Sequence, residues 1–272
     1  MASSQPWMVA EPPRQRLALL VEYDGTAFNG FQSQSAVSLR TVQDVLQEHL
    51  RDLSGEPDLD IISSSRTDKG VHAAGLVCHV DTACPVPADR LPLALNSRLP
   101  EDVALLAAAP APPDFHARYQ AASKTYTYRY YLAGVRPVLW RNRSAHVFGP
   151  VDLTAMNRAI PYLVGTHDYH AFMDHNNNPK RSTIRTVESL DLSLSDPLLT
   201  LTVRGSGFLY HMVRILAGTL LAVGQGKIVP EELPALLKSR DRRLAGKTMP
   251  PQGLCLEKVH YPQDPFAKGG CK

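Results

Sequence analysis

The spacing of apolar and polar positions changes period along the chain, and each change predicts an element. Residues 16–23 (RLALLVEY) form an apolar run that stops at Asp24 and Gly25, a strand entering a tight turn. From there to residue 55 the period becomes helical: Val42, Val45, Leu46, His49, Leu50 and Leu53 share one face, with Thr41 as cap and Gly55 as stop. Residues 60–64 read as a strand, 66–70 as a loop, 71–80 as an extended segment and 90–96 as a short helix. The stretch 107–114 (AAAPAPPD) reads as a connection between two halves. Beyond it, strands are predicted at 124–132, 185–194, 198–204 and 254–261. Helices are predicted at 153–163, stopped by Gly165, at 208–223 and at 231–238. Strands and helices mix in both halves without strict βαβα alternation, which predicts an α+β fold with a mainly antiparallel sheet and helices on one side. The expected limits are a flexible tail over 1–14, one half over 15–112, a second over 113–263 and a short tail over 264–272.

Composition narrows the class. With 272 residues, 44% hydrophobic and 20% charged, the chain suits a folded domain with a sizeable core, not a disordered or fibrous one. The longest apolar run, residues 212–223, is interrupted by Arg214 and falls short of the ~20 residues that cross a bilayer, so no membrane span is expected. Cys78, Cys84, Cys255 and Cys271 have no metal-binding spacing, which points to a reduced, cytoplasmic setting. A net charge of +3 permits a nucleic-acid partner without requiring one. No phosphate-binding or dinucleotide glycine motif, serine-hydrolase elbow or zinc-protease helix is present.

Three constellations stand out. Residues 63–75 (SSSRTDKGVHAAG) crowd Arg66, Asp68, Lys69 and His72 into one loop. This is either a solvated turn or a carboxylate set among cations and suited to nucleophilic or electrostatic work. In the helix predicted over 208–223, Phe208, Leu209, Met212, Leu216, Leu220 and Val223 form an apolar sector, and Arg214 projects opposite with Tyr210 and Leu221. That arginine is a surface residue or lines a cleft, where its guanidinium pairs with a carboxylate or phosphate. Tyr126, Tyr128 and Tyr130 share one strand face, as a half-buried strand or as a platform for an unpaired base, each stack worth about 1–3 kcal/mol. Arg118, Lys180, Arg181, Arg185, Lys238, Arg240, Arg242, Arg243 and Lys247 are candidate phosphate contacts.

Ordered blocks covering about residues 16–262 resemble the tRNA pseudouridine synthase A (TruA) family. They include YDGTAFNGFQSQ (23–34), SRTDKGVHA (65–73), DFHARY (114–119), KTYTY (124–128), GFLYHMVRILAGTLLAVGQGK (207–227) and PPQGLCL (250–256). The resemblance implies two ferredoxin-like halves in one mixed, mostly antiparallel sheet with helices outside and a central cleft. It implies that Asp68 is the catalytic aspartate, Tyr126 stacks on the target base and Arg214 pairs with Asp68. Arg66 would help to extrude the nucleotide, and Leu254 would line the pocket. It further implies conversion of uridine to pseudouridine at positions 38, 39 and 40 of the tRNA anticodon arm, by a cytoplasmic homodimer without cofactor or metal. Ser65, Lys69 and Phe31 depart from residues frequent in the family, and none replaces a proposed site residue. The competing readings are an RNA-binding module that has lost catalysis and a glycoside hydrolase. The latter needs two carboxylates, and only Asp68 sits in a convincing site block.

Overall fold

The computed structural model describes residues 13–34, 39–174 and 182–267. Most of the two expected tails, together with Lys180, Arg181 and Cys271, lies outside the described residues. The first half contains β1 (Gln15–Tyr23), α1 (Val42–Ser54), β2 (Ile62–Ser63), β3 (His72–Thr82), α2 (Leu91–Asn96) and β4 (Val103–Pro110). The second contains β5 (Ser123–Leu132), β6 (Ala145–Val147), α3 (Leu153–Leu163), β7 (Gly165–Asp168), β8 (Ile184–Ser195) and β9 (Leu198–Gly205). It continues through α4 (Met212–Gly224) and α5 (Leu233–Ser239) to β10 (Leu254–His260).

All the strands join one sheet, whose main path runs β4-β1-β3-β10-β5-β9-β8-β7. Each half contains a βαββαβ unit with its fourth strand beside its first and its third between first and second. In the first half these strands are β1, β2, β3 and β4, and in the second β5, β8, β9 and β10. Pairing within each unit is antiparallel. The units join where β10 runs parallel to β3, Cys255 opposite His72 and Leu256 opposite Ala73. The fold is therefore the expected α+β arrangement around a mixed, mostly antiparallel sheet.

Local chemistry explains the elements. Thr41 caps α1 by accepting from the Asp44 N–H at 3.2 Å, and Gly55 ends it in the left-handed region at φ 74°. Val42, Leu46 and Leu50 are buried as the period predicted. On β5, the hydroxyls of Tyr128 and Tyr130 donate to the carbonyls of Pro250 (2.8 Å) and Ala217 (2.9 Å), so these two rings belong to the core. Cys78, Cys84 and Cys255 are buried free thiols. Among the described residues, no helix is long and apolar enough to cross a membrane.

Two expectations are corrected. The stretch 107–114 is not wholly a connection: β4 continues to Pro110, with Ala107 opposite Leu20 and Pro110 opposite Leu17. A proline is tolerated there because β4 is an edge strand and Pro110 its last residue. The helix predicted from residue 208 begins at Met212, because His211 at φ 60° breaks the helical path. Leu221 is buried, so the face opposite the predicted stripe is also core. A helix buried nearly all round is apolar nearly all round, which obscures its one functional side chain. Gly218 permits a backbone strap to cross it: a Cβ there would overlap the Lys247 carbonyl oxygen.

Candidate active site

The loop carrying Asp68 leaves β2 and is fixed from beneath by main-chain and buried polar contacts. The Phe31 N–H donates to the Thr67 carbonyl at 3.2 Å, Tyr23 and Thr67 share a buried hydroxyl contact of 2.7 Å, and the Gly70 N–H donates to the Phe28 carbonyl at 3.3 Å. Asp68 opens a tight turn closed by the Val71 N–H on its carbonyl at 3.1 Å. Gly30 lets the chain pass under the loop: at φ 93°, a Cβ would meet the Thr67 carbonyl oxygen at 2.7 Å. Lys124 Nζ donates to the Ser64 carbonyl at 2.7 Å, and burial followed by nearby Arg118 pushes its ammonium down to about 8. These contacts place the Asp68 side chain at the mouth of a cleft between the halves.

A cavity of about 210 Å³ opens there. Among the described residues Asp68 is its one carboxylate; Tyr126, Phe208, Met212 and Leu254 supply apolar walls, while Arg66 and Arg118 supply positive charge. Tyr126 is buried and meets Phe208 edge-on, with ring centroids 5.3 Å apart. Burial pushes its hydroxyl up to about 12, and the Asp68 charge adds to the effect. A second cleft, about 520 Å³, lies beyond Asp68, sharing it with Tyr210 and His211 and adding Lys69, Arg141 and Arg214.

Arg214 reaches this site from α4. Its Nε donates to the Met249 carbonyl at 2.6 Å, the strap across α4 holding the guanidinium, and Nη1 lies 3.4 Å from Asp68 Oδ2. The cleft reading of Arg214 therefore holds over the surface reading. Arg66 is exposed at the rim. Of Tyr126, Tyr128 and Tyr130 on β5, only Tyr126 lines the cavity. The fold thus gathers Asp68, Arg66, Tyr126, Arg214 and Leu254 around two contiguous clefts. His211 was missed: its Nε2 lies 3.4 Å from the same Asp68 oxygen. Its signal in the sequence was its place beside Met212 and Arg214, submerged in a predicted helix.

One carboxylate in a partly apolar cleft, flanked by cations and an aromatic wall, suits chemistry on a nucleotide withdrawn from its stack. Comparison with known proteins gives the same class. A family model described as tRNA pseudouridine synthase matches residues 19–120 and 159–262. A tRNA pseudouridine synthase A of Acetivibrio thermocellus is 41% identical over 247 residues, covering 91% of this chain and 100% of the relative. That of Halalkalibacterium halodurans is 44% identical over 88% of this chain and 90% of the relative, and that of Moorella thermoacetica 43% identical over 90% and 99%. The chain belongs to the tRNA pseudouridine synthase family, a family of isomerases.

Proposed function

We propose that this protein converts uridine to pseudouridine in the anticodon stem-loop of tRNA, at positions 38, 39 and 40, with Asp68 as catalytic group and without a cofactor. The observation that carries the reading is the Asp68 carboxylate, solitary among the described residues of the cavity, with the Arg214 guanidinium 3.4 Å away and Tyr126 and Leu254 on the walls. The reaction breaks C1'–N1, turns the uracil and bonds C5 to C1'; the C5 proton is lost and N1 gains one. Nothing is oxidised or hydrolysed, so the balance calls for no redox partner. Asp68 engages the sugar or the base while the uracil is detached. Tyr126 stacks on the extruded base, which offsets part of the few kcal/mol that unstacking costs. Arg66, at the rim, helps to extrude the nucleotide and holds the flanking phosphate, and Leu254 keeps the pocket dry. Arg214 anchors Asp68 through its Oδ2.

A glycosidase would need a second carboxylate in the cavity, and none lines it among the described residues. A binding module without catalysis would have no need of a half-buried guanidinium directed at the carboxylate. We also assign the protein to the cytoplasm as a homodimer, which sedimentation at twice the chain mass would support and a monomer at working concentration would contradict. Chemical mapping of pseudouridine in tRNA transcripts incubated with the protein tests the substrate. Modification at 38, 39 and 40 is expected, and modification confined to another arm would overturn the site assignment.

A further inference from the structure

The two ring nitrogens of His211 face two different carboxylates. Nε2 lies 3.4 Å from Asp68 Oδ2, and Nδ1 lies 2.9 Å from Asp174 Oδ2. Asp174 is itself clamped. Arg242 Nε donates to its Oδ1 at 2.7 Å, and the Thr248 hydroxyl donates to its Oδ2 at 2.6 Å. Burial opposes ionisation of Asp174, and the hydrogen bonds from Thr248, His211 and Arg242 overcome it, holding the carboxyl at about 2. Asp174 lines neither of the two clefts; its side chain reaches the site through the His211 ring, and its N–H donates to the Tyr210 carbonyl at 3.4 Å.

The backbone carries an independent sign. His211 sits at φ 60°, one of two described non-glycine residues with positive φ. Such a conformation persists only where its surroundings over-determine it, and it clusters at functional sites. In that conformation Nε2 stands 3.4 Å from Asp68 Oδ2, and Tyr210 stacks on the ring, centroids 3.7 Å apart and planes at 25°.

A carboxylate on a turn can rotate about its last torsion, whereas attack on a nucleotide needs one oxygen in one direction. Arg214 and His211 both meet Oδ2 of Asp68, at 3.4 Å each. We propose that His211 and Asp174 are positioning residues for the reaction: Asp174 fixes the imidazole, the imidazole and Arg214 fix Oδ2, and Oδ1 is thereby presented to the nucleotide. The inference rests on Asp68 being the catalytic group.

The test uses single-turnover rates of pseudouridine formation and tRNA dissociation constants at 25 °C. His211→Asn suits it, because asparagine tolerates positive φ and its amide reaches towards Asp174 but not Asp68. Its rate is expected to fall about 100-fold, that of His211→Gln, with a longer amide, less, and that of Asp174→Asn about tenfold. Affinity for tRNA should stay within about twofold of wild type, since neither residue is assigned a phosphate. The double variant His211→Asn/Asp174→Asn should be no slower than His211→Asn alone, because Asp174 acts through the ring. Wild-type rates in His211→Asn and Asp174→Asn, losses that multiply in the double variant, or a defect confined to affinity would each overturn the proposal. Asp68→Asn, run in parallel, separates the two claims: activity in it defeats the reading of Asp68 itself. Inactivity there beside full rates in the His211 and Asp174 variants defeats only the positioning role.

Discussion

The two βαββαβ units differ most at their second strand: two residues, Ile62–Ser63, in the first and twelve, Ile184–Ser195, in the second. In the second unit the long strand pairs along β9, and only Asp196 and Pro197 separate the two strands. In the first, β2 covers only Cys78 and His79 of β3. The rest of that edge is open, and β10 of the other unit takes it at His72 and Ala73. The residues that would have continued the short strand become the loop that carries Asp68. Shortening one strand therefore does two things together: it joins the halves, and it places a charged loop of one half against Tyr126, Arg214 and Leu254 of the other.

The largest effect expected on this arrangement comes from the strap that holds Arg214. Gly218→Ala would push a methyl group into the Lys247 carbonyl and should destabilise the protein by about 3 kcal/mol, read from urea unfolding. Unchanged stability would mean that the strap is loose and that Met249 does not fix the arginine.

Next is the joint itself. At Gly75 a Cβ would stand 2.6 Å from the Glu257 carbonyl oxygen of β10. Gly75→Ala should cost about 2 kcal/mol and slow pseudouridine formation by more than the folded fraction explains, because it separates Asp68 from the opposing wall. A rate that tracked the folded fraction alone would show that the joint does not set the geometry of the cleft.

A smaller effect probes the network behind the wall. Asp174 has a folded-state carboxyl at about 2 against an ordinary 3.8, so the unfolded chain binds more protons between those values. Its contribution is fully present above pH ~4 and lost as pH falls through ~2. With a quarter of the side chain exposed, Asp174→Asn should cost about 1.5 kcal/mol at pH 7 and almost nothing near pH 2. A cost independent of pH would assign the loss to packing.

Much of this was legible in the sequence because its signals are local. Thr41, Gly55 and the i, i+3, i+4 spacing between them define α1 without reference to the rest of the chain. The loop at residues 63–75 declares itself by charge density, and the ordered blocks implicated Asp68, Tyr126, Arg214, Arg66 and Leu254. What escaped depends on distance or on backbone strain. Phe208 and Leu209 read as the first turn of a helix because apolar cavity walls and apolar core look alike in a periodicity; the φ of His211, which ends that reading, has no signature. Asp174 is 37 residues from the histidine it holds. The end of β4 was hidden by alanines and prolines, whose weak strand preference was overridden by an edge position beside β1.

The central claim is that the short second strand delivers a single catalytic carboxylate. Tritium release from tRNA labelled at uridine C5 tests it most directly, comparing wild type with Asp68→Asn at matched tRNA occupancy. The account predicts rapid release by wild type and a rate at least about 10³-fold lower for the variant, with tRNA still bound. Release by Asp68→Asn at a rate near wild type would contradict it.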